Sequence, residues 1–406
     1  MEPYDIAARI PVGLTPAADD AFKRYNHPGA VAAMIALSNP GSFTFVVAPV
    51  LLTAFLHSGG LSPSQAASLG AAELAGMTLA TLAATPMVAR FDRRLLAGMG
   101  LLVMFTGHIL SIRLAGYGPI VAARGIAGFG VGTLFSVAVA SLAGCANPDR
   151  AFGFSMTTNQ VATLILMSVL ARIGTNGGPS PIVLTIAIAS AGMGLAIPFV
   201  PAHAPAVATR GRSADGAPVL LSAFLALGGT LAFNIAIGAV WPMAGQIGLS
   251  HGLPASVVNA ALAMAGVGAI AAGALVAAIG ARFGRFWPLM VCMTSLAVAM
   301  VSLHGNLAAG AFRATVSAFM FFWMLSVPFF LGTLAALDPR GCLAALSGAM
   351  LPCGMALGQT FAATVIAGGA FSRVILVGIV AVLTALILMA LALRIASAGS
   401  AQRQLA

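Results

Sequence analysis

The chain has 406 residues, 60% of them hydrophobic and 7% charged, with a formal net charge of +10 and a mean hydropathy of +1.02. A soluble domain carries roughly 25% charged residues, so this chain cannot cover a water-facing surface, and a lipid bilayer is the implied solvent. Its basic residues stand singly or in short groups at the ends of apolar runs rather than in a patch, which excludes a nucleic-acid partner; Cys145, Cys292, Cys342 and Cys353 lack zinc or redox spacing, so neither a metal nor a cofactor is expected.

Residues 1–30 hold Glu2, Asp5, Asp19, Asp20, Lys23 and Arg24 and lack the apolar core of a signal peptide. They read as a cytoplasmic arm. A bilayer-crossing helix needs about 20 mostly apolar residues. Twelve such segments follow, at about 31–57, 65–88, 95–115, 119–143, 151–172, 181–200, 218–243, 255–279, 287–303, 308–335, 343–367 and 373–394. Glycine, proline and asparagine mark the links, as in Gly116-Tyr117-Gly118-Pro119 and Asn176-Gly177-Gly178-Pro179. The longest internal polar stretch, 201–217, separates an N-terminal bundle (31–200) from a C-terminal one (218–394), and 395–406 form a tail. The expected fold is all-α: a polytopic membrane protein with twelve transmembrane helices in two pseudo-symmetric six-helix bundles.

The second half repeats the first at a spacing near 192. Gly60-Leu61 recurs as Gly252-Leu253 (252 − 60 = 192), and the loop Ala89-Arg90-Phe91-Asp92-Arg93 recurs as Ala281-Arg282-Phe283-Gly284-Arg285 (282 − 90 = 192). Arg124 answers to Arg313 (313 − 124 = 189) and Ser155 to Ser347 (347 − 155 = 192). Solenoid repeats are far shorter, ~20–50 residues. Two half-proteins in an apolar chain point instead to a transporter with its site between the halves.

Loop charge sets the orientation. With the N-terminus inside, fourteen Lys/Arg fall on the cytoplasmic side and five (Arg113, Arg124, Arg172, Arg313, Arg373) toward the outside, 14 + 5 = 19. Both termini are then cytoplasmic. One Lys against eighteen Arg suggests a GC-rich bacterial genome and hence the bacterial inner membrane.

Twelve spans, a central loop after the sixth and a basic motif after spans two and eight resemble the major facilitator superfamily. That family's loop after span two reads Gly-x-x-x-Asp-Arg-x-Gly-Arg-Arg. Here Thr85 to Arg94 keep the arginines but carry Thr85, Ala89 and Asp92 in place of the first glycine, the aspartate and the second glycine. A second signature, Arg-x-x-x-Gly-x-Gly-x-Gly, is matched by Arg124, Gly128, Gly130 and Gly132 in span four. The resemblance implies that Arg90, Arg93, Arg282 and Arg285 lie on gating loops. It also implies that spans one, four, seven and ten line a central cavity, and that the protein is a monomer. Span five lacks the proline of the family's antiporter signature, which leans away from drug/proton exchange.

An ionisable residue inside a span is a functional candidate. Glu73 sits eight residues into span two, ~12 Å along a helix rising 1.5 Å per residue. Two readings stand for it: a proton-coupling carboxyl, or a fixed ion pair with Arg124 that orders the N-terminal half. Arg124 and Arg313 occupy matching places, and two guanidinium groups facing one cavity would hold a carboxylate or phosphate. The alternative is that they snorkel to headgroups. Asn39-Pro40-Gly41 is read as interrupting span one. Asn39 then contacts solute or satisfies carbonyls freed by Pro40. Asn159 and Gln160 in span five, Asn234 in span seven, Trp323 in span ten and Gln359 in span eleven complete the candidate solute contacts, and the alternative for each amide is a hydrogen bond to another helix. His108, in a peripheral span, reads as structural.

The function expected from these residues is secondary active transport of a small organic solute, an organic anion by its arginines, with proton coupling through Glu73. Export of amphipathic or toxic compounds is the alternative. An enzyme or sensor on the same scaffold ranks below both, because the spans hold no paired carboxylates or metal-ligand spacing.

Overall fold

The computed structural model describes residues 16–404, except 59, 147, 174–177, 204–216, 280–285, 306, 338–341 and 367–370. Fifteen α-helices are described: α1 Pro16–Tyr25, α2 Pro28–Val46, α3 Ala48–Ser58, α4 Pro63–Val88, α5 Arg93–Arg113, α6 Tyr117–Ala143, α7 Pro148–Ile173, α8 Pro179–Gly194, α9 Ala217–Val240, α10 Ala244–Ser250, α11 Ala255–Ile279, α12 Phe286–Ser302, α13 Ala309–Leu337, α14 Cys342–Val365 and α15 Phe371–Gln404. Among the described residues, ten helical segments are long and apolar enough to cross a membrane. The ninth and eleventh expected spans are α12, a shorter apolar helix of 17 residues, and α14, of 24 residues. The count of twelve thus stands at ten full-length spans plus these two helices. The expected hinge, 201–217, lies mostly outside the described residues.

Local chemistry starts the helices. Ser62 and Gln65 cap each other's backbone at the start of α4. Asp92, which replaces a glycine of the family loop, accepts from the Arg94 N–H at 2.7 Å and caps α5. Gly116, at φ +90°, supplies the left-handed turn that starts α6.

Span one corrects an expectation. Asn39-Pro40-Gly41 does not interrupt the helix; α2 runs through Pro40 to Val46 and the chain bends at Val47. Pro40 has no N–H for the Ala36 carbonyl, and the Asn39 side-chain amide donates to that carbonyl and to Ile35, each at 3.2 Å. The break comes beside Pro49, which again lacks an N–H. Val50 bonds Val47 instead of reaching back four residues. The freed Val46 carbonyl accepts the Trp241 indole N–H at 3.1 Å. The break recurs in span seven, where a 3-10 turn Trp241–Met243 around Pro242 separates α9 from α10 (242 − 49 = 193).

Glycines bring the N-terminal helices close. A Cβ on Gly128 would overlap the Glu73 backbone oxygen, and one on Gly132 the Met77 oxygen, so these two face α4. Gly130 faces α5, against Met104 and Gly100. The alternate glycines of the span-four signature therefore open α6 to a neighbour on each side, as small residues do in membrane helix pairs.

The far end of the molecule is the end reached by α3. There α3 packs on α10 and the Trp241–Met243 turn, joining the two halves. Gln246 Nε2 donates to Thr53 Oγ1 at 3.0 Å across this seam. Two further seams, α4 on α14 and α7 on α11, also cross between the halves. By contrast α2 packs on α6, α7 and α8, and α9 on α13, α14 and α15, all within their own halves.

Candidate functional site

Glu73 and Arg124 are the only acid and base brought together inside the spans among the described residues. They lie at similar depth from the far end, ten residues into α4 (73 − 63 = 10) and seven into α6 (124 − 117 = 7). The glycine contacts press these two helices together, and Arg124 Nη2 donates to Glu73 Oε2 in a tight ion pair. Both side chains are shut from solvent, at 1% exposure for Arg124 and 4% for Glu73. Thr44 of α2, whose hydroxyl donates to the Pro40 carbonyl at 3.2 Å, lines the same cavity as Glu73.

Arg124 has a second partner. Its Nη1 lies 3.1 Å from His108 Nδ1. A guanidinium only donates, so Nδ1 accepts and the ring proton sits on Nε2. The sequence carried a signal for this contact. Helices α5 and α6 join through a three-residue link, 114–116, so positions nearly equidistant from it lie side by side. His108 is five residues before Arg113 ends α5, and Arg124 seven after Tyr117 starts α6.

A cavity of about 30 Å³ opens on this pair, lined by Thr44, Gly70, Glu73 and Arg124 from one half and by Pro242 and Gln359 from the other, with apolar α3 residues. It holds one or two waters at most. An organic solute does not fit in this conformation.

The other expected residues are placed as follows. Gln359 joins the cavity, 1% exposed. Arg313 does not: it is exposed at the start of α13, while Arg124 is occupied by Glu73, so the expected pair of facing arginines is not assembled here. Asn39 is buried and bonds its own helix. Asn159 accepts from Ser38 at 3.0 Å, and Ser38 also meets Ser155 at 2.9 Å, a polar cluster of spans one and five that sequence reasoning passed over. Gln160 reaches Met324 Sδ at 2.8 Å. Asn234 bonds the Thr230 carbonyl at 2.8 Å in its own helix. Trp323 packs on Trp241, ring centroids 6.0 Å apart, and its indole N–H is buried without a partner. Trp241 itself, which sequence reasoning did not single out, is 1% exposed.

Of the loop arginines, Arg90 is exposed and Arg93 is 4% exposed. Arg93 Nη1 donates to the Tyr25 hydroxyl at 2.8 Å and to Ser141 Oγ at 3.3 Å. The Tyr25 hydroxyl donates in turn to the Ser141 carbonyl at 2.7 Å. The loop thereby ties α1 to the end of α6. Arg282 and Arg285 lie outside the described residues.

A family model described as Major Facilitator Superfamily matches residues 31–303. The chain belongs to the major facilitator superfamily. It is therefore a multi-pass membrane transporter of a small solute and not an enzyme. Its fold is similar to a solved structure titled "Crystal structure of D-xylose-proton symporter", with TM-score 0.65, 16% identity, 88% of this chain and 95% of that chain covered. No curated protein sequence matches the chain significantly. Within this superfamily member, the Glu73–Arg124 pair occupies the wall of the cavity between the halves.

Proposed function

We propose that this transporter moves a small organic anion together with a proton, by rocking its two halves about the cavity at Glu73 and Arg124. The observation that carries the reading is the buried Glu73–Arg124 pair on a cavity wall shared by both halves. While Glu73 is ionised the pair is neutral and Arg124 has no charge to offer a solute. A proton on Glu73 removes the carboxylate and leaves the guanidinium free for an anion. Proton and anion then occupy the site together, and a monoanion with one proton crosses without net charge. His108 holds the far side of the guanidinium in place through the exchange. The similar structure titled as a D-xylose-proton symporter supports the proton as the coupled ion.

With both termini in the cytoplasm of a bacterium, the orientation the loop charges favour, the far end faces outside. Its seam of α3, α10 and the Trp241–Met243 turn then makes this conformation closed to the exterior. Arg313, exposed at that end, meets solute on entry rather than at the midplane.

Proteoliposomes under an imposed pH gradient test the reading with a panel of labelled carboxylates and neutral sugars. Wild type should accumulate a carboxylate when the gradient is present and only equilibrate it when absent. Glu73→Gln should equilibrate the same solute but lose gradient-driven accumulation. Equal accumulation by both proteins would refute proton coupling through Glu73. Transport of sugars with carboxylates ignored would refute the anion assignment while leaving the coupling intact.

A further inference from the structure

Among the described residues, Gln359 is the one buried polar side chain that the C-terminal half presents to the Glu73 cavity. It stands six residues before the end of α14 (365 − 359 = 6), opposite Gly70, seven residues into α4 (70 − 63 = 7). A Cβ on Gly70 would overlap Gln359 Oε1, so the glycine forms the notch in which the amide sits. That oxygen is buried and has no protein partner. Packing alone does not call for an amide there. At the pseudo-equivalent seam between α7 and α11, a glycine notch at Gly266 is filled by Leu164. The repeat mates of Gly70 and Gln359 are Leu262 and Met167 (70 + 192 = 262; 359 − 192 = 167).

The cavity between the amide and the ion pair has room for one or two waters, and its polar wall is made of Thr44, Glu73, Arg124 and Gln359. A water there has the two to four polar partners it needs. We propose that Gln359 is a positioning residue that couples the Glu73 charge to closure of the far end, through a water that donates to both Gln359 Oε1 and the Glu73 carboxylate. The link is charge-assisted while Glu73 is ionised. Protonation leaves a neutral carboxyl, which holds the water less strongly, and so loosens α14 from α4. The inference rests on the proposed role of Glu73.

Few groups compete for control of Glu73. From α6 it faces Arg124, with His108 of α5 behind. Thr44 from α2 and Gln359 from α14 do not titrate, and α3 lines the cavity with apolar residues.

The test uses the full chain in lipid nanodiscs, with spin labels at Ser64 and Ser256, repeat mates on the two halves near the far end. The probe is the proton alone. Distance distributions are recorded across the pH range in which Glu73 changes charge. Wild type should lose its short-distance population as pH falls. The near-isosteric Gln359→Met, and independently Gly70→Ala, should leave distributions that no longer respond to pH. Glu73→Gln should be fixed in the low-pH distribution. A wild-type pH response in folded Gln359→Met and Gly70→Ala would overturn the role of Gln359. If instead Glu73→Gln keeps both the pH response and gradient-driven uptake, the proposed role of Glu73 itself fails, and the two failures are distinguishable.

Discussion

At the scale of single residues, the buried ion pair sets the energetic stakes. Removing one partner of a buried pair leaves an uncompensated charge and costs about 3–5 kcal/mol, whereas replacing both by apolar groups is often neutral. Arg124→Met should therefore lower the thermal midpoint of the detergent-solubilised protein sharply, and Arg124→Met combined with Glu73→Leu should recover most of the loss. Equal losses in single and double variants would mean that the unpaired Glu73 carboxylate is not what destabilises the single variant. This part of the site was legible from sequence because charge inside an apolar span has few readings, and the depths of Glu73 and Arg124 could be counted. Arg313 shows where counting stops. Its repeat position matched Arg124, but only the rotation of α13 decides whether a side chain meets the cavity, and here it is exposed. Asn39 was ambiguous in the same way until its amide was found on the carbonyl that Pro40 leaves unbonded.

At the scale of helices, the span-four signature is explained by contact geometry. Gly128 sits against the Glu73 backbone, whereas Gly98 of α5 has nothing near its missing Cβ. Gly128→Ala should push α4 from α6, separate Glu73 from Arg124 and lower both stability and gradient-driven uptake. Gly98→Ala should leave uptake unchanged and gain up to about 1 kcal/mol from helix propensity. Thermal unfolding of the two variants side by side checks this. The docking of α1 makes a second helix-scale case. Tyr25 is buried against Arg93 and Ser141, and burial holds its hydroxyl above the ordinary tyrosine value despite the nearby guanidinium. The sign follows from linkage: the folded state retains this proton longer than the unfolded state, so the contribution is full below the ordinary value of about 10 and is lost as pH rises through the folded value. A spectroscopic titration of the three tyrosines should show one ionising late, and Tyr25→Phe should remove that late step. The loop motif was visible in sequence, but its use here was not. With Ala89 in place of the family's aspartate, Arg93 turns to a tyrosine 68 residues away, a partner that no local spacing indicates.

At the scale of the whole molecule, the halves were readable from the 192-residue repeat because the two copies keep order and spacing. The seams between them were not, since they depend on which face each helix turns. The far-end seam rests on two paired breaks, at Pro49 and Pro242, and on hydrogen bonds from Trp241 to Val46 and Gln246 to Thr53. Orientation decides which compartment that seam closes off. Arg90 and Arg313 are exposed at opposite ends of the molecule, so single cysteines there report sidedness on a background with Cys145, Cys292, Cys342 and Cys353 replaced. Arg90→Cys should react with an impermeant maleimide only in inside-out vesicles, and Arg313→Cys only in right-side-out cells. The loop charge balance of 14 to 5 favours this result, and the reverse pattern would place the closed seam on the cytoplasmic side. Protection of Arg313→Cys by a transported carboxylate would further put that position on the route of entry. Labelling unaffected by any solute would confine the anion-binding chemistry to Arg124, where release by a proton on Glu73 becomes the sole route to a free guanidinium.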